Sequence, residues 1–401
     1  MPRAREPESA EPIYLDHAAA TPLRPEAEAA MRDATAKGFA NASSPHAAGR
    51  QARRILEESR ERILTALGGR STGVDRDRLV FTSGATEANR LGVLGREDGP
   101  GTIAWSPRDH ASIQAAAAEL AVRGWHPVPL AANQRGSVIE AVLALADSPP
   151  GRTVVCLTTV CGQTGILDPA VTTLAATPLV SIHVDHTQAT AWDATPLDRL
   201  AATTVALAPH KFGGPRGIGG LVVRGGVRLR PVQPGPQELG LRGGTESVPL
   251  AAAFAAALEA AVAERSAAVD HVTALRQRFE CGVTAAAAGV GRRVVVIGDH
   301  APRAPHITTI AVEGFDRQTL VMAADLAGVF LATGTACASG SSEPSPAILS
   351  LHEPPWVARS AFRASFAPAS TCRDVDAAVS RLTMVFRGIA GGGLHLGSSP
   401  E

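Results

Sequence analysis

Short apolar runs alternate with longer segments of helical spacing along the first two thirds of the chain. The runs lie at 79–82, 102–105, 152–157, 179–184, 203–207 and 220–224. They are rich in β-branched residues and nearly free of charge, which is typical of parallel strands covered on both faces. Apolar residues recur at helical spacing at 25–37, 46–68, 86–95, 111–123, 248–264 and 265–286. This alternation predicts an α/β fold with a largely parallel sheet.

The pattern changes after about residue 265. Runs at 292–297, 307–312 and 362–366 predict a second sheet, and helices near 317–327 and 373–388 would cover it. We therefore expect a smaller α+β domain. The predicted parts are a mobile N-terminus (1–12), a segment packing with the small domain (13–24), a large domain (25–265), the small domain (266–388) and a loose tail (389–401).

Charge and composition narrow the classes of function. Lysine plus arginine and aspartate plus glutamate both number 38, which argues against nucleic acid or an acidic membrane surface as the main partner. No apolar run reaches the roughly 18 residues of a membrane span, and the N-terminus lacks the apolar centre of a signal peptide. The five cysteines are irregularly spaced without a C-x-x-C pair, so we expect reduced thiols, no metal site and a cytoplasmic protein.

Candidate ligand-binding residues follow the predicted strands at their carboxyl ends, where open α/β sheets bind ligands. Residues 82–87 follow one strand and open a helix, so their backbone N–H groups and the Thr86 hydroxyl could hold a phosphate. Asp185 ends a second strand and Lys211 follows a third. A lysine, an aspartate and a phosphate cradle are what pyridoxal phosphate requires.

Cys337 lies in a segment of small residues, LATGTACASGSSEPS (331–345), which offers a thiol access and mobility. This setting favours a nucleophile. Cys156, Cys281 and Cys372 lie in regular elements and are interpreted as packing residues, as is Cys161. The glycine-rich stretch at 213–220 precedes a strand rather than a helix, so it is not a dinucleotide-binding fingerprint.

A set of short motifs resembles the cysteine desulfurases, in the class V branch of the fold type I pyridoxal-phosphate enzymes. The motifs are YLDHAAATP (14–22), NASSPH (41–46), FTSGATEAN (81–89), DH (109–110), VDHTQ (184–188), HKFGGPRG (210–217), LRGGTE (241–246), GTAC (334–337) and RASF (363–366). They occur in the family's order over roughly residues 13 to 385. The resemblance implies a large domain with a mostly parallel seven-stranded sheet and a smaller α+β C-terminal domain.

The resemblance also implies roles for the cofactor-binding residues. Lys211 would form the Schiff base with pyridoxal phosphate, and Asp185 would hold the protonated pyridinium nitrogen. Gln188 would bond to the phenolic oxygen of the cofactor ring. His110 would stack on the ring and transfer protons, a task for which an imidazole side chain is suited near neutral pH. The phosphate would be contacted by Ala85, Thr86, His210 and, from the neighbouring subunit of a homodimer, Thr245.

In the implied reaction, Arg363 binds the carboxylate of the substrate L-cysteine through a bidentate pair. The Cys337 thiolate then attacks the substrate sulfur, which leaves a persulfide on Cys337 and releases alanine. The length of the Cys337 segment resembles the long-loop branch of the family. That branch passes sulfur to a protein acceptor, such as an iron–sulfur scaffold or a sulfur carrier, for iron–sulfur cluster assembly or tRNA thiolation.

Two positions depart from the family pattern. Gly162 stands where the family has an asparagine that contacts substrate or cofactor, and Ala208 stands where it tends to have serine. A lost neutral hydrogen bond costs about 0.5–1.5 kcal/mol, so weaker binding is expected rather than lost chemistry. Two alternatives stay open: a class V relative with another substrate, such as a selenocysteine lyase or an aminotransferase, and a weakly active or cofactor-free scaffold for sulfur transfer.

Overall fold

The computed structural model describes residues 11–96, 99–147, 152–174, 180–333 and 343–391. The strands are β1 (Ile13–Tyr14), β2 (Arg78–Thr82), β3 (Thr102–Trp105), β4 (His126–Pro129), β5 (Thr153–Thr158), β6 (Val180–Asp185), β7 (Thr204–Leu207), β8 (Gly219–Val223), β9 (Val294–Val296), β10 (Ile307–Val312), β11 (Val329–Phe330) and β12 (Ala361–Ser365). The helices are α1 (Pro25–Lys37), α2 (Ala47–Ala66), α3 (Ala85–Leu94), α4 (Ala111–Val122), α5 (Ile139–Leu143), α6 (Ala170–Thr173), α7 (Val248–Ala288), α8 (Arg317–Leu326), α9 (Pro346–Leu349), α10 (Pro355–Ser360) and α11 (Cys372–Ala390).

The large sheet has seven strands in the order β2-β8-β7-β6-β5-β3-β4. Strands β4, β3, β5, β6 and β7 pair in parallel, which confirms the predicted α/β class. The prediction that the run at 220–224 is also parallel is wrong, because β8 runs antiparallel to both β7 and β2. The link from β7 to β8 holds only a short 3₁₀ turn at Pro209–Lys211, whereas parallel neighbours need a crossover of a dozen or more residues.

Strand β4 lies at the edge of this sheet and was missed by the sequence pattern. It contains Pro127 and Pro129, which break the pattern of an ordinary strand. Proline has no N–H to donate, so it is confined to strands at sheet edges or to bulges. The edge position of β4 therefore explains both its composition and its absence from the prediction.

Both faces of the central strands of the large sheet are buried, as predicted. Along β5, Val155 and Leu157 pack with residues of α2 and α7, whereas Val154 and Cys156 pack with residues of α4. Alternate side chains of a strand point to opposite faces, so this division places helices on both sides. The largely apolar sequences of these strands follow from this double cover.

A second sheet has the antiparallel order β12-β10-β9, and β1 pairs in parallel with β11 beside it. Helices α7, α8 and α11 contribute to its core, which also contains Ile13 and Leu15 from the start of the described chain. The strand predicted at 307–312 is confirmed with the same bounds. None of the helices in the described ranges has the length and apolar character that crossing a bilayer requires.

Helix α7 joins the two cores as one continuous helix of 41 residues. The prediction of separate helices at 248–264 and 265–286 is wrong, because neither proline nor glycine interrupts the sequence near Arg265. Phe254 packs in the core of the large sheet and Phe279 in that of the second sheet. The domain boundary at 265 falls inside this helix and, like the other domain bounds, stays a prediction; residues 1–10 and 392–401 lie outside the described ranges.

Candidate active site

The candidate site lies at the carboxyl edge of the large sheet. Asp185 is the last residue of β6, and Lys211 ends the short turn that follows β7. Strand β2 has the same direction as these strands, because both β2 and β7 are antiparallel to β8. Helix α3, which starts at Ala85 just after β2, therefore begins at the same edge. The topology thus brings together groups that lie up to 126 positions apart in sequence, from Ala85 to Lys211.

The Asp185 carboxylate is buried, with 5% of the residue exposed. Its Oδ2 accepts a hydrogen bond from Asn89 Nδ2 at 2.9 Å, and its Oδ1 accepts one from the Thr187 backbone N–H at 3.0 Å. Each carboxylate oxygen has two lone pairs, so capacity remains for a further donor. A buried, oriented carboxylate is suited to hold a protonated ring nitrogen.

The Lys211 amine is held by backbone carbonyls from a distant segment. Its Nζ donates to the oxygens of Ala18 at 2.8 Å and Ala19 at 2.9 Å. The Ala18 oxygen also accepts from Gln188 Nε2 at 2.8 Å. One carbonyl thus brings together the predicted Schiff-base lysine and the predicted ligand of the ring oxygen.

His306 is a residue near this point that the sequence analysis missed. Its Nε2 lies 3.3 Å from Gln188 Oε1, and its ring stacks on Trp192 with centroids 4.6 Å apart. Burial lowers the pKa of His306 to about 3, and the positive charge of Arg363 acts in the same direction. The residues that flank His306 in the sequence give no indication that it lies near Gln188.

The start of α3 is suited to an anion. Gly84 precedes the helix and has no side chain to cap it, so the N–H groups of the first turn receive no hydrogen bond from an N-cap side chain. A Cβ added at Gly219 would lie 2.5 Å from the Gly84 backbone, so only glycine permits this close approach of β8. Thr86 is exposed and Ala85 is half-buried, as a phosphate contact requires.

His210 lies next to Lys211 and is half-buried. Burial lowers the pKa of His210 to about 4, and the charges of Lys211 and Arg216 add to this effect. The imidazole is therefore neutral at pH 7 and donates through one nitrogen only. Ala208 is fully buried and, as the sequence implies, supplies no hydroxyl here.

His110 is exposed and caps the N-terminus of α4. Its Nδ1 accepts from the Ser112 backbone N–H at 3.2 Å. The preceding residue, Asp109, is buried and accepts from Thr158 Oγ1 and from the Ser106 N–H, each at 2.7 Å. Burial raises the pKa of Asp109 to about 7, although these two hydrogen bonds favour the charged form and act in the opposite direction.

Arg363 on β12 is almost fully enclosed, with 4% of its side chain exposed. One terminal nitrogen donates to Asp16 Oδ1 at 2.7 Å and the other to the Gly162 carbonyl at 2.8 Å. Its Nε is buried without a hydrogen-bond partner among the described residues. A Cβ built on Gly162 would meet the Gln188 side chain at 3.5 Å, an ordinary contact, so the position points toward the predicted cofactor ligand.

Two of the predicted site residues are not brought to this cluster by the described chain. Thr245 is exposed, on a loop that is fixed to α3 by the ion pair between Arg242 and Glu87 at 3.0 Å. Cys337 lies in the segment 334–342, outside the described residues. The described chain before it is anchored at the site, because the backbones of Ala332 and Arg363 exchange hydrogen bonds of 3.1 and 2.7 Å.

The chain is similar to known proteins along most of its length. The sequence signature of the family named Aminotransferase class-V matches residues 13–378. A cysteine desulfurase of Gluconacetobacter diazotrophicus is 33% identical over 373 residues, which cover 91% of this chain and 90% of that protein. The chain belongs to the cysteine desulfurase family of class-V aminotransferases. A NifS/IcsS protein homolog of Lactobacillus delbrueckii subsp. bulgaricus is 30% identical over 388 residues, covering 94% of this chain and 97% of that one.

The fold of the family is matched as well. A NifS-like protein of Rickettsia africae, solved by X-ray methods, superposes with a TM-score of 0.81 and covers 94% of this chain at 24% identity. That chain is itself covered to 99%. Family members depend on pyridoxal phosphate, and the site fits this cofactor: Lys211 offers the amine, Asp185 the buried carboxylate and the start of α3 the anion site.

Proposed function

We propose that this enzyme takes sulfur from L-cysteine and passes it, through a persulfide on Cys337, to a protein acceptor. One observation supports this most strongly: three predicted site residues from distant parts of the chain contact the segment 16–19. Lys211 and Gln188 donate to the Ala18 carbonyl, and Arg363 donates to the Asp16 carboxylate. Groups for the cofactor and for the substrate carboxylate are therefore adjacent.

When bound, pyridoxal phosphate would supply an electron sink at the substrate Cα. Asp185 would hold the ring nitrogen protonated from its buried position at the end of β6. Gln188 Nε2, which carries two hydrogens, could donate the second to the ring oxygen while keeping its bond to Ala18. His110, exposed at the start of α4, would accept and return the proton of the substrate Cα.

Arg363 would bind the substrate carboxylate. Its guanidinium already bonds to a carboxylate, that of Asp16, so the site is built for this group. L-cysteine would therefore compete with Asp16 or share the guanidinium through the buried Nε. Gly162 offers no side-chain amide beside Gln188, so one hydrogen bond to the bound molecule would be missing.

Cys337 would reach the substrate from Ala332, which pairs with Arg363. Cys337 lies five positions after Ala332 in the sequence. Since an extended chain spans at most about 3.3–3.6 Å per residue, the reach from Ala332 is roughly 17 Å. The thiolate would form an S–S bond with the substrate sulfur as the substrate C–S bond breaks. The electron pair of that bond stays with the organic fragment, which is protonated and leaves as alanine.

The sulfur acceptor, the cellular location and the oligomeric state are proposed from the resemblance to the family. The acceptor would be an iron–sulfur scaffold or a sulfur carrier in the cytoplasm. Thr245, exposed on its loop, would reach the phosphate site of a second subunit in a homodimer. The loop is held close to the start of α3 in its own subunit by the Arg242–Glu87 ion pair, a position that suits a site shared at a subunit boundary.

Mass spectrometry of Cys337 tests the reaction directly. The cofactor-loaded protein is incubated with L-cysteine and compared with Lys211→Ala, Cys337→Ser and Cys372→Ser. Cys372 is the control, because it is exposed at the start of α11 rather than packed as the sequence predicted. We expect alanine and a Cys337 persulfide in the wild type and in Cys372→Ser, and no persulfide in the other two. Transamination without release of sulfur would support the aminotransferase alternative. Absence of a protein-bound Schiff-base absorbance, once free pyridoxal phosphate has been removed, would support the cofactor-free scaffold.

A further inference from the structure

Asn89 is a fully buried residue of α3 whose polar atoms are all engaged. Its Nδ2 lies 2.9 Å from Asp185 Oδ2 and 3.0 Å from Ser112 Oγ. Its Oδ1 lies 2.9 Å from His183 Nε2. These partners come from β6 and α4, so a single side chain joins three elements at the carboxyl edge of the sheet.

The direction of each hydrogen bond follows from chemistry. A carboxylate only accepts, so the Asn89 atom facing Asp185 is the amide nitrogen, and its second hydrogen points to Ser112 Oγ. The amide oxygen must then accept from His183 Nε2–H. Burial lowers the pKa of His183 to about 4, so the ring is neutral and its Nδ1 accepts from Thr204 Oγ1 at 2.9 Å.

Ser112 continues this chain to the candidate acid–base residue. Because Ser112 Oγ accepts from Asn89, its own hydrogen is available for His110 Nδ1, 2.8 Å away. The Ser112 backbone N–H also donates to that nitrogen. With two donors directed at Nδ1, the hydrogen of neutral His110 lies on Nε2.

We propose that Asn89 is a positioning residue that orients Asp185 directly and His110 through the hydroxyl of Ser112. The inference rests on the proposed roles of Asp185 and His110 toward the cofactor. Asn89 sets the carboxylate that would face the ring nitrogen, and Ser112 holds the imidazole that would stack on the ring. The two groups are thereby kept at a constant relative position, although one ends a strand and the other precedes a helix.

Ser112→Ala removes the link to His110 with little risk to folding. We expect it to raise the dissociation constant of pyridoxal phosphate by about two- to ten-fold, the equivalent of one neutral hydrogen bond. Asn89→Leu keeps the shape of the side chain but removes both donors, one of them to a charged group, so we expect an increase of about ten- to hundred-fold. Ser112→Thr keeps the hydroxyl and should restore binding to within about two-fold.

The experiment is a titration of the apoprotein with pyridoxal phosphate, read by visible absorbance and by visible circular dichroism, which reports the orientation of the bound ring. Ser59→Ala is the matched control, because Ser59 is buried on α2 and its hydroxyl donates to the Ile55 carbonyl of the same helix. It should change neither reading, whereas Ser112→Ala should weaken both the affinity and the dichroic band.

Two outcomes would overturn the inference in distinguishable ways. If the wild type binds pyridoxal phosphate and both Ser112→Ala and Asn89→Leu match its affinity and dichroic band, the positioning role is wrong and the proposed function stands. If the wild type itself binds no cofactor, the proposed function fails and the inference fails with it. Should Asn89→Leu not fold, Ser112→Ala against Ser112→Thr decides the matter alone.

Discussion

Gly92 determines how closely α3 approaches the sheet beneath the candidate site. It lies three positions after Asn89, on the same face of the helix, directly over His183. A Cβ at this position would lie 2.3 Å from His183 Nδ1 and 2.5 Å from Cε1. Ordinary contact begins at 3.4 Å, so Gly92→Ala must move the helix or the ring by about 1 Å.

Such a movement has two calculable effects. Overpacking of a core costs about 1–3 kcal/mol, while replacing glycine by alanine inside a helix contributes about 1 kcal/mol of stability, so we expect net destabilisation of about 0–2 kcal/mol. The 2.9 Å bonds of Asn89 to Asp185 and His183 would lengthen toward 3.9 Å, beyond hydrogen-bonding range. The affinity for pyridoxal phosphate should then fall by about ten-fold or more.

Urea unfolding of the apoprotein and cofactor titration measure the two effects separately. Gly282→Ala is the control, because it substitutes another helix-interior glycine far from the site, whose added Cβ would meet the methyl groups of Val379. That variant should bind the cofactor normally. A Gly92→Ala protein about 1 kcal/mol more stable than the wild type, with unchanged cofactor affinity, would refute the close-approach argument.

Three further predictions concern the site and its surroundings. Gly162→Asn should fold normally, because a Cβ at this position has ordinary contacts. It should restore a hydrogen bond and so tighten cofactor or substrate binding by about two- to ten-fold in a binding titration. Weaker binding would contradict the inference that an asparagine contact is missing here. Arg363→Lys should raise the KM for L-cysteine by at least about ten-fold, since lysine cannot form the bidentate pair, and an unchanged KM would exclude the carboxylate role. The free energy of unfolding should fall as pH drops from about 6.5 to 4, because burial lowers the pKa of His183, His186 and His210 to about 4 and these groups bind protons only on unfolding. Urea titrations at pH 7 and pH 5 test this, and equal free energies of unfolding at both pH values would contradict it. Asp109, whose pKa is raised, acts in the opposite direction, but it is one group against three histidines.

Local sequence was sufficient for most elements of the fold. Helix α1 and strands β3 and β10 have the predicted bounds, because helical spacing and β-branched runs report local preference and burial together. Local pattern could not give the direction of β8, since an apolar run reads the same in either direction and only the connection decides it. Local pattern also predicted two helices in place of α7. The first part of α7 packs against one core and the second part against another, and in the sequence this change resembles the end of a helix.

The sequence likewise predicted some residues of the candidate site and missed others. The types and order of Lys211, Asp185 and Arg363 predict the chemistry, and the motifs that contain them contribute to the resemblance to the cysteine desulfurases. Their spacing in sequence contains no information on Asn89 and Ser112, whose role arises from hydrogen bonds among α3, β6 and α4. The Ala18 carbonyl offers no signal at all, because every residue has one.

The sequence by itself therefore determined the α/β class, the family and the candidate groups for cofactor binding and attack on sulfur, since these depend on residue identity and periodicity. Tertiary structure alone decided which of those groups meet and which buried side chains orient them. The reason is physical: hydrogen-bond partners and burial are set by distance in space, and at this sheet edge Asp185 lies 2.9 Å from a side chain that is 96 positions away along the chain.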